Sequence, residues 1–242
     1  MLSLVVIAKN EADRIGPCLE SVPFADEILV LDSGSTDDTA RICRAAGARV
    51  VHTDWPGFVA QKNRALAMAS GDWVLSLDAD ERLSPAAQAD VRRVLESQAS
   101  EAYSFPRLST WMGRPLRHGR WYPDRKVRLA RRDVARWVGF DPHDRLAVEG
   151  HIEALSGDIL HDPYRVLSEH LETIDRYSRI QADSWARAGR RAYAWDPWVR
   201  PPLHFVDSAI RLGGFQDGWR GMAVASLGAW YVHRKWMRLW QG

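Results

Sequence analysis

The sequence predicts an α/β protein in which helices cover both faces of a mainly parallel sheet, followed by a helical segment rich in tryptophan and arginine. Three observations lead to this prediction. Short apolar runs alternate with helical patterns over residues 1–97. Polar clusters follow three of the apolar runs, at the strand ends where parallel sheets bind ligands. The last third of the chain loses this alternation and accumulates Trp, Lys and Arg.

Four β-strands are predicted in the first half of the chain from short runs rich in aliphatic and β-branched residues. They cover residues 2–8, 27–31, 49–52 and 73–77. Apolar residues at helical spacing predict helices over residues 11–22, 39–46 and 59–69, and Ser84-Pro85 is expected to begin a fourth. Strands and helices in this alternation imply right-handed crossovers and a mainly parallel sheet.

Polar residues are concentrated at the predicted carboxyl ends of three strands, in residues 9–11, 32–35 and 78–80. The last cluster is the most informative, because Asp78 and Asp80 stand two positions apart at the mouth of a buried strand. Oxygen ligands in this arrangement suit Mg²⁺ or Mn²⁺, which keep coordination positions for water and substrate phosphates. The sequence therefore predicts a site for a divalent cation and a diphosphate at this edge of the sheet.

Four stretches of the chain resemble the family 2 glycosyltransferases, which have the GT-A fold. They are residues 5–11, 30–39, 61–65 and 77–81. The likeness is strongest to the bacterial group that adds glucose to the heptose of the lipopolysaccharide inner core. That group shares three further motifs with this chain, in residues 113–114, 117–119 and 121–124. The resemblance covers about two-thirds of the chain and fades after about residue 165.

The resemblance implies roles for five residues in binding the nucleotide sugar and the metal ion. Asp32 would accept a hydrogen bond from the uracil imide N–H, although an Asp here also begins an Asp-Ser-Gly turn. Glu11 would lie beside the nucleotide pocket or, alternatively, in the first turn of a helix as a dipole partner. Lys62 would approach the uracil or the diphosphate, with a solvated helix face as the alternative. Asp78 would contact the ribose, or the metal through water, and Asp80 would ligate the metal directly.

The second half of the catalytic region is expected to supply a base, because an inverting transfer removes the acceptor hydroxyl's proton as its oxygen attacks the anomeric carbon. Asp144 is the candidate, with Asp141 as competitor and a structural Asp-Pro turn as the alternative. The family usually has His-Glu where this chain has His143-Asp144, so the carboxylate stands on a side chain one methylene shorter. His161 follows another predicted strand and is a candidate third metal ligand, with a structural histidine as the alternative.

A basic stretch over residues 113–128 contains six Arg or Lys beside three aromatic residues. Planar guanidinium groups suit phosphate recognition, and aromatic rings suit the faces of sugars. This stretch is therefore expected to contact a phosphorylated acceptor or the donor diphosphate, with a solvated basic loop as the alternative.

The C-terminal third is expected to be helical, with a long amphipathic helix after Pro163-Tyr164, a loop over residues 192–202, and one or two further helices. From Trp185 onward the chain holds seven of its twelve tryptophans and nine Lys or Arg against three Asp. Interleaved cations and aromatic residues are typical of a segment that lies on a membrane surface. A helical appendage with tryptophans in its core is the alternative.

Composition narrows the class of protein. At 242 residues, 46% hydrophobic and 26% charged, the chain can bury one sizeable core and a small appendage. With a net charge of only +2, the chain as a whole lacks the strong positive charge typical of nucleic-acid-binding proteins. The longest uncharged stretch near the end is too short to span a bilayer, and the first apolar run is expected to be a strand rather than a signal peptide. Cys18 and Cys43 lack metal-binding spacing and are expected to be buried thiols in a reducing compartment.

These observations predict a GT-A catalytic domain over residues 1–163 and a helical extension over residues 164–242. Residues 1–97 would bind the nucleotide sugar, and residues 98–163 would bind the acceptor and supply the base. The expected reaction is an inverting, Mg²⁺- or Mn²⁺-dependent transfer of a hexose, glucose by resemblance, from a UDP-linked donor.

The expected acceptor is a lipid-linked saccharide, with the lipopolysaccharide inner core as the leading candidate. The expected location is the cytoplasm, peripheral on the inner face of the bacterial inner membrane. The alternatives are another cell-envelope or polyprenyl-linked acceptor, or a catalytically inactive nucleotide-binding scaffold at the membrane.

Overall fold

The computed structural model describes all 242 residues, which form two compact units. The first unit comprises residues 1–107, 125–139 and 144–161, and the second comprises residues 108–124, 140–143 and 162–242. The domain boundary expected after residue 163 is a division by function and stays a prediction. The compact units differ from it because residues 108–124 and 140–143 belong with the C-terminal helices.

The chain contains thirteen β-strands and seven α-helices. The strands are β1 (Leu2–Ala8), β2 (Glu27–Asp32), β3 (Arg49–His52), β4 (Trp73–Asp78), β5 (Glu81–Leu83), β6 (Ala102–Phe105), β7 (Arg107–Trp111), β8 (Arg114–Pro115), β9 (Lys126–Arg131), β10 (Ala135–Phe140), β11 (His143–Val148), β12 (Ile152–Ala154) and β13 (Ile159–Tyr164). The helices are α1 (Ile15–Glu20), α2 (Thr39–Ala45), α3 (Phe58–Met68), α4 (Pro85–Ser97), α5 (Leu167–Arg187), α6 (Asp196–Val206) and α7 (Gly218–Gln241).

A seven-stranded sheet in the order β12-β6-β9-β4-β1-β2-β3 is the centre of the first unit. The strands β4, β1, β2 and β3 are parallel, as predicted, and β9 runs antiparallel to β4 and β6. The register pairs Ala8 with Asp32 and Ile7 with Asp78. The carboxyl ends of β1, β2 and β4 therefore lie side by side, which confirms the predicted convergence of the polar clusters.

Side chains of β1 alternate between the two faces of this sheet, as the pleat requires. Leu4 and Val6 pack in one buried cluster, which also contains Cys18 of α1 and Cys43 of α2. Val5 packs in another, together with buried residues of α3. Helices therefore cover both faces of the sheet, and both cysteines are buried as predicted.

The predicted helix boundaries hold in one case and shift in another. Ser84 caps α4 as expected, because its hydroxyl accepts a hydrogen bond from the Ala87 N–H at 3.2 Å. The helix expected to begin at residue 11 instead begins at Ile15. Pro17 accounts for the late start, since proline lacks a backbone N–H and is best tolerated in the first turn of a helix.

The second unit contains the β7–β8 hairpin and the helices α5, α6 and α7, and α7 packs against both other helices. The predicted long amphipathic helix is confirmed as α5. Trp185 of α5 and Trp236 of α7 are buried together, with ring centroids 5.0 Å apart. These two tryptophans form part of a small core for the unit.

Helix α6 contradicts the loop expected over residues 192–202. It begins at Asp196, and Pro197 occupies its first turn, where a missing N–H is tolerated. Pro201 and Pro202 lie further inside the helix, and a wider π-helical turn follows at Asp207–Arg211. Packing of α6 against α7 offsets the lost backbone hydrogen bonds, an effect that the local pattern does not contain.

The other five tryptophans of the C-terminal third are exposed. They are Trp195, Trp198, Trp219, Trp230 and Trp240. The alternative of tryptophans serving as core therefore holds for two of the seven. None of the helices combines the length and the apolar character needed to cross a membrane.

Candidate active site

The first unit carries all seven of the predicted site residues. Asp32 and Asp78 are the last residues of β2 and β4, and Asp80 follows in the turn before β5. Lys62 lies on α3 and Asp144 on β11. Glu11 follows β1, and His161 lies within β13. Residues distant in the sequence are thus collected near one edge of the sheet.

Lys62 links Asp78 to Asp144. Its Nζ lies 2.8 Å from Asp78 Oδ1 and 2.8 Å from Asp144 Oδ2. Lys62 is only 5% exposed, so the alternative of a solvated helix face is wrong. Asp144 Oδ2 is buried, and no hydrogen bond of good geometry reaches it beyond this ion-pair contact. One ammonium group therefore serves two carboxylates.

Arg128 binds the other oxygen of Asp78. Its Nη2 lies 2.5 Å from Asp78 Oδ2 and 2.6 Å from Glu81 Oε1, and Arg107 Nη1 lies 3.1 Å from the same Glu81 oxygen. Burial by itself raises the pKa of Asp78, but Arg128 and Lys62 outweigh burial and hold that pKa well below its usual range. Asp78 therefore stays anionic in this network.

Arg128 corrects the prediction for the basic stretch. It is 3% exposed and lies on β9, paired with carboxylates rather than placed in a solvated loop. A signal was present in the sequence, because Val127 and Leu129 flank it in an apolar strand pattern. A charge inside a buried strand requires a partner of opposite charge. Glu81 is such a partner, and the sequence alone did not single it out.

Asn63 fixes Trp137, another residue that sequence reasoning missed. Asn63 Nδ2 donates to the Trp137 carbonyl oxygen, and the Trp137 N–H donates to Asn63 Oδ1, both at 2.9 Å. Lys62 Nζ lies 4.4 Å from the centroid of the Trp137 ring, and the Arg128 guanidinium lies 5.7 Å from it. Cation–π attraction favours both positions. Asn63 thereby helps to position the neighbouring Lys62.

Asp80 and His161 form a second pair. Antiparallel pairing of β13 with β5 sets His161 opposite Glu81, and His161 Nε2 lies 3.4 Å from Asp80 Oδ2. Burial raises the pKa of Asp80, but the adjacent His161 outweighs burial and brings that pKa below its ordinary value. The two side chains therefore direct an oxygen and a nitrogen toward each other.

These two donors fit a divalent cation. Carboxylate oxygens suit Mg²⁺ and Mn²⁺, while imidazole nitrogen favours transition metals, so the pair suits Mn²⁺ better than Mg²⁺. No group of three or more His, Cys, Asp or Glu side chains is arranged to hold a metal ion. The remaining ligands would therefore come from water and substrate phosphates, as is usual for cations that bind diphosphates.

Asp32 is buried and begins a turn. Its Oδ1 accepts a hydrogen bond from the Ser35 N–H at 3.1 Å and another from the Ser35 hydroxyl. Its Oδ2 lies 2.8 Å from His52 Nδ1, and the His52 side chain is largely exposed. The turn described as an alternative is therefore present, and the contact with uracil stays a prediction.

Glu11 precedes α1 by four residues, so the alternative of a dipole partner in the first helical turn is wrong. Its N–H donates to Thr39 Oγ1 at 2.8 Å, and its carboxylate lies 3.7 Å from Arg14. The nucleotide-pocket role of Glu11 stays a prediction. Asp141 lies in the turn between β10 and β11, where the expected Asp-Pro turn is found.

The family model for glycosyl transferase family 2 matches residues 3–145, more than half of the chain. The chain belongs to this family. All four stretches that suggested the resemblance lie within the matched residues. Family membership makes the protein a glycosyltransferase.

A relative across nearly the full length agrees with this assignment. The lipopolysaccharide core biosynthesis glycosyltransferase LpsC of Rhizobium meliloti (strain 1021) is 32% identical over 244 residues. The match covers 96% of this chain and 88% of LpsC. The similarity therefore includes the C-terminal helices as well as the part matched by the family model.

Two solved structures share the fold of this family 2 glycosyltransferase. S. aureus TarS 1–349 in complex with UDP-GlcNAc has a TM-score of 0.51 at 14% identity, covering 98% of this chain and 91% of that one. Glucosyl-3-phosphoglycerate synthase from Mycobacterium tuberculosis, in complex with phosphoglyceric acid, has a TM-score of 0.51 at 23% identity, covering 78% and 80%. At these identities the similarity concerns the fold, and the predicted GT-A fold is confirmed.

Proposed function

We propose that this glycosyltransferase moves a hexose, with glucose as the leading candidate, from a UDP-linked donor to a lipid-linked saccharide acceptor. The lipopolysaccharide inner core is the acceptor we favour, and the similarity to LpsC supports that class of acceptor. The configuration at the anomeric carbon would invert during the transfer.

The position of the Lys62 ammonium is the main observation in support of this proposal. It lies 2.8 Å from Asp78, proposed to bind the donor, and 2.8 Å from Asp144, proposed as the base. A donor diphosphate carries more negative charge than either carboxylate and competes with them for Lys62. Movement of the ammonium toward the diphosphate would leave Asp144 Oδ2 available to the acceptor hydroxyl.

Asp144 would act as the general base. The acceptor oxygen attacks the anomeric carbon as its proton passes to Asp144, and the bond from that carbon to the diphosphate oxygen breaks with its electron pair. Asp144 Oδ2 makes no well-directed hydrogen bond, so it can accept this proton without breaking an existing hydrogen bond. Positive charge from Lys62 would stabilise the departing diphosphate.

Asp80 and His161 would hold a divalent cation, with Mn²⁺ favoured by their mixed oxygen and nitrogen donors. When bound, such a cation neutralises negative charge that develops on a diphosphate leaving group. Asp32 would accept the uracil imide N–H through the oxygen that it shares with His52, an exposed side chain able to move aside. Glu11 would lie beside the nucleotide.

We further propose that the enzyme works in the cytoplasm, attached to the inner face of the inner membrane. Five exposed tryptophans in the C-terminal third, together with its excess of basic residues, support contact with a membrane surface. A membrane-bound enzyme would encounter a lipid-linked acceptor by lateral diffusion in the plane of the membrane.

A donor panel tests this function. The protein is incubated with Mn²⁺ and UDP-, GDP- or dTDP-linked hexoses, with and without truncated lipopolysaccharide, and nucleoside diphosphate release is measured. We expect slow hydrolysis of one UDP-hexose, faster release with the acceptor, and loss of both in Asp80→Asn. Asp38→Asn changes an exposed carboxylate outside the site and should retain activity. Binding of UDP without turnover of any donor would instead identify an inactive scaffold.

A further inference from the structure

The second unit contains an open cavity of about 550 Å³ that none of the proposed catalytic or donor-binding residues line. Four basic side chains and one carboxylate contribute to its walls: Arg120, Arg200, Arg211, Lys235 and Asp207. The cavity thus contains more cationic than anionic groups. It differs in this respect from the candidate active site, where carboxylates and cations alternate.

The carboxylates near the cavity do not neutralise all of these cations. Asp207 is shared, because Arg120 Nη2 lies 2.6 Å from its Oδ2 and Arg211 binds its other oxygen. Arg200 Nε lies 2.6 Å from Asp196 Oδ1. Two carboxylates therefore face three guanidinium groups, before Lys235 is counted.

Lys235 is held by aromatic rings rather than by a carboxylate. Its Nζ lies 5.0 Å from the centroid of the Trp185 ring and 4.8 Å from that of Tyr231. The Arg200 guanidinium similarly lies 4.2 Å from the Trp236 ring. Cation–π contacts fix such groups in position without cancelling their charge. The cavity therefore keeps a positive potential.

The titration of neighbouring groups agrees with an excess of positive charge. Burial, together with repulsion from Arg190, Arg120 and Arg200, lowers the pKa of Lys235 to about 8. Burial also lowers the pKa of His204 to about 4, with Arg120 and Lys235 adding to the effect. Burial is the larger cause of both shifts, and repulsion by the neighbouring cations is the smaller one. An anion would relieve this repulsion.

Apolar side chains border the same cavity. Leu203 and Val206 line it, yet they are 63% and 48% exposed. Ile210, in the π-helical turn that follows α6, is also exposed. A small hydrophilic anion would leave these side chains in water, whereas an anionic amphiphile would cover them. Charge and apolar surface together select the second kind of ligand.

We propose that this cavity binds the phosphate group of an anionic membrane phospholipid, with the acyl chains lying against Leu203 and Val206. The site deepens the membrane contact proposed above by naming its lipid and the residues that recognise it. It requires no part of the transfer reaction, so vesicle binding and turnover report on the two proposals separately.

Lysine labelling of the full-length protein provides a direct test. The chain has four lysines, and an amine-reactive reagent at pH 8 should modify Lys235 readily because its pKa is about 8. Labelling of Lys235 and of exposed Lys9 is followed by mass spectrometry with phosphatidylglycerol vesicles, phosphatidylcholine vesicles or inorganic phosphate. We expect phosphatidylglycerol alone to slow labelling of Lys235, by about fivefold or more, with Lys9 unchanged. Equal protection by inorganic phosphate at matched concentration would overturn the lipid assignment, and no protection would overturn the site.

Matched charge variants separate a defined site from diffuse attraction. Lys235→Gln and Arg211→Gln should each weaken binding to phosphatidylglycerol vesicles by about fivefold. Lys235→Arg keeps the positive charge and should bind these vesicles as the unmodified protein does. Arg187→Gln removes the same charge from an exposed position of α5 outside the cavity and should have little effect. If Lys235→Gln does not fold, Arg211→Gln tests the same cavity from an exposed side chain. Equal losses in Arg187→Gln and the cavity variants would overturn the proposal.

Discussion

Lys62 Nζ lies 2.8 Å from Asp144 Oδ2, and this ion pair joins helix α3 to strand β11 within the first unit. Both side chains are at least nine-tenths buried. Buried charges are tolerated only in pairs, so the loss of either partner leaves the other poorly solvated. The contact therefore contributes to stability as well as to the proposed chemistry.

Replacing Lys62 with Met should lower the free energy of unfolding by about 3–5 kcal/mol, because Asp144 would remain as a buried charge without a partner. Asp78 keeps Arg128 in this variant. Arg41→Met, on helix α2, removes an exposed ion pair with Asp38 and should change stability little. Urea unfolding of both variants checks this, and equal effects would contradict a special role for the buried pair.

Asp144→Asn should reduce transfer by about 10²–10⁴-fold while UDP binding survives, because the amide cannot accept the acceptor proton. Steady-state transfer rates and calorimetric UDP titration measure the two properties. Asp141→Asn is the matched control and should retain activity. Asp144→Glu should keep part of the activity, since the family usually carries Glu here. Normal transfer by Asp144→Asn would move the base elsewhere.

His161→Gln should raise the Mn²⁺ concentration needed for half-maximal transfer, because an amide oxygen replaces the imidazole nitrogen beside Asp80. Excess chelator should abolish transfer by the unmodified enzyme, and added Mn²⁺ should restore it. Thermal unfolding measured without metal distinguishes a ligand from a structural histidine. A lower unfolding temperature with an unchanged Mn²⁺ requirement would assign His161 a structural role only.

Glu27 should make stability depend on pH. Burial raises its pKa, but hydrogen bonds from Ser3, the Ser70 N–H and Arg49 outweigh burial and lower it from 4.5 to about 2. A carboxylate with a lowered pKa stabilises the fold above its unfolded pKa, and that stability is lost as the pH falls toward the folded value. Glu27→Gln should therefore cost about 2 kcal/mol at pH 6, with screening by solvent included, and much less near pH 2.5.

Denaturant titration of Glu27→Gln at both pH values measures this difference. Glu96→Gln, on an exposed position of α4, should change the free energy of unfolding little at either pH. A cost for Glu27→Gln that is the same at pH 6 and pH 2.5 would show that its carboxylate is not stabilised as described.

Trp198→Ser should weaken sedimentation with phosphatidylglycerol vesicles by about tenfold, because a large exposed aromatic side chain would no longer enter the lipid interface. Trp198 is 61% exposed, so the substitution should leave thermal stability nearly unchanged. Trp55→Ser, at another exposed tryptophan in the first unit, should not alter vesicle binding. Equal vesicle binding by Trp198→Ser and the unmodified protein would exclude this tryptophan from the membrane contact.

Local patterns predicted the parts of this protein that depend on neighbouring residues along the chain. The apolar runs located β1 to β4, and the strand ends located Asp32 and Asp78, because parallel pairing follows from the alternation of strands and helices. The family was likewise identifiable from four short stretches near those ends. Pro17 carried a readable signal for the start of α1 that the apolar spacing obscured.

The features that the sequence did not predict depend on contacts between elements that are distant along the chain. Arg128 reaches Asp78 because β9 inserts antiparallel beside β4, and His161 reaches Asp80 because β13 pairs with β5. Neither pairing follows from periodicity, which describes one element at a time. Packing of α6 against α7 similarly allows a helix where its prolines favour a loop.

The shared ammonium of Lys62 has a kinetic consequence. An acceptor that reaches the enzyme first encounters Asp144 with its oxygen beside Lys62. In the proposed reaction, a nucleotide sugar that arrives first would draw the ammonium away from Asp144 and leave the carboxylate available. We therefore expect a compulsory order of addition in which the nucleotide sugar binds before the acceptor. One shared cation would impose this order without the closure of a loop or lid.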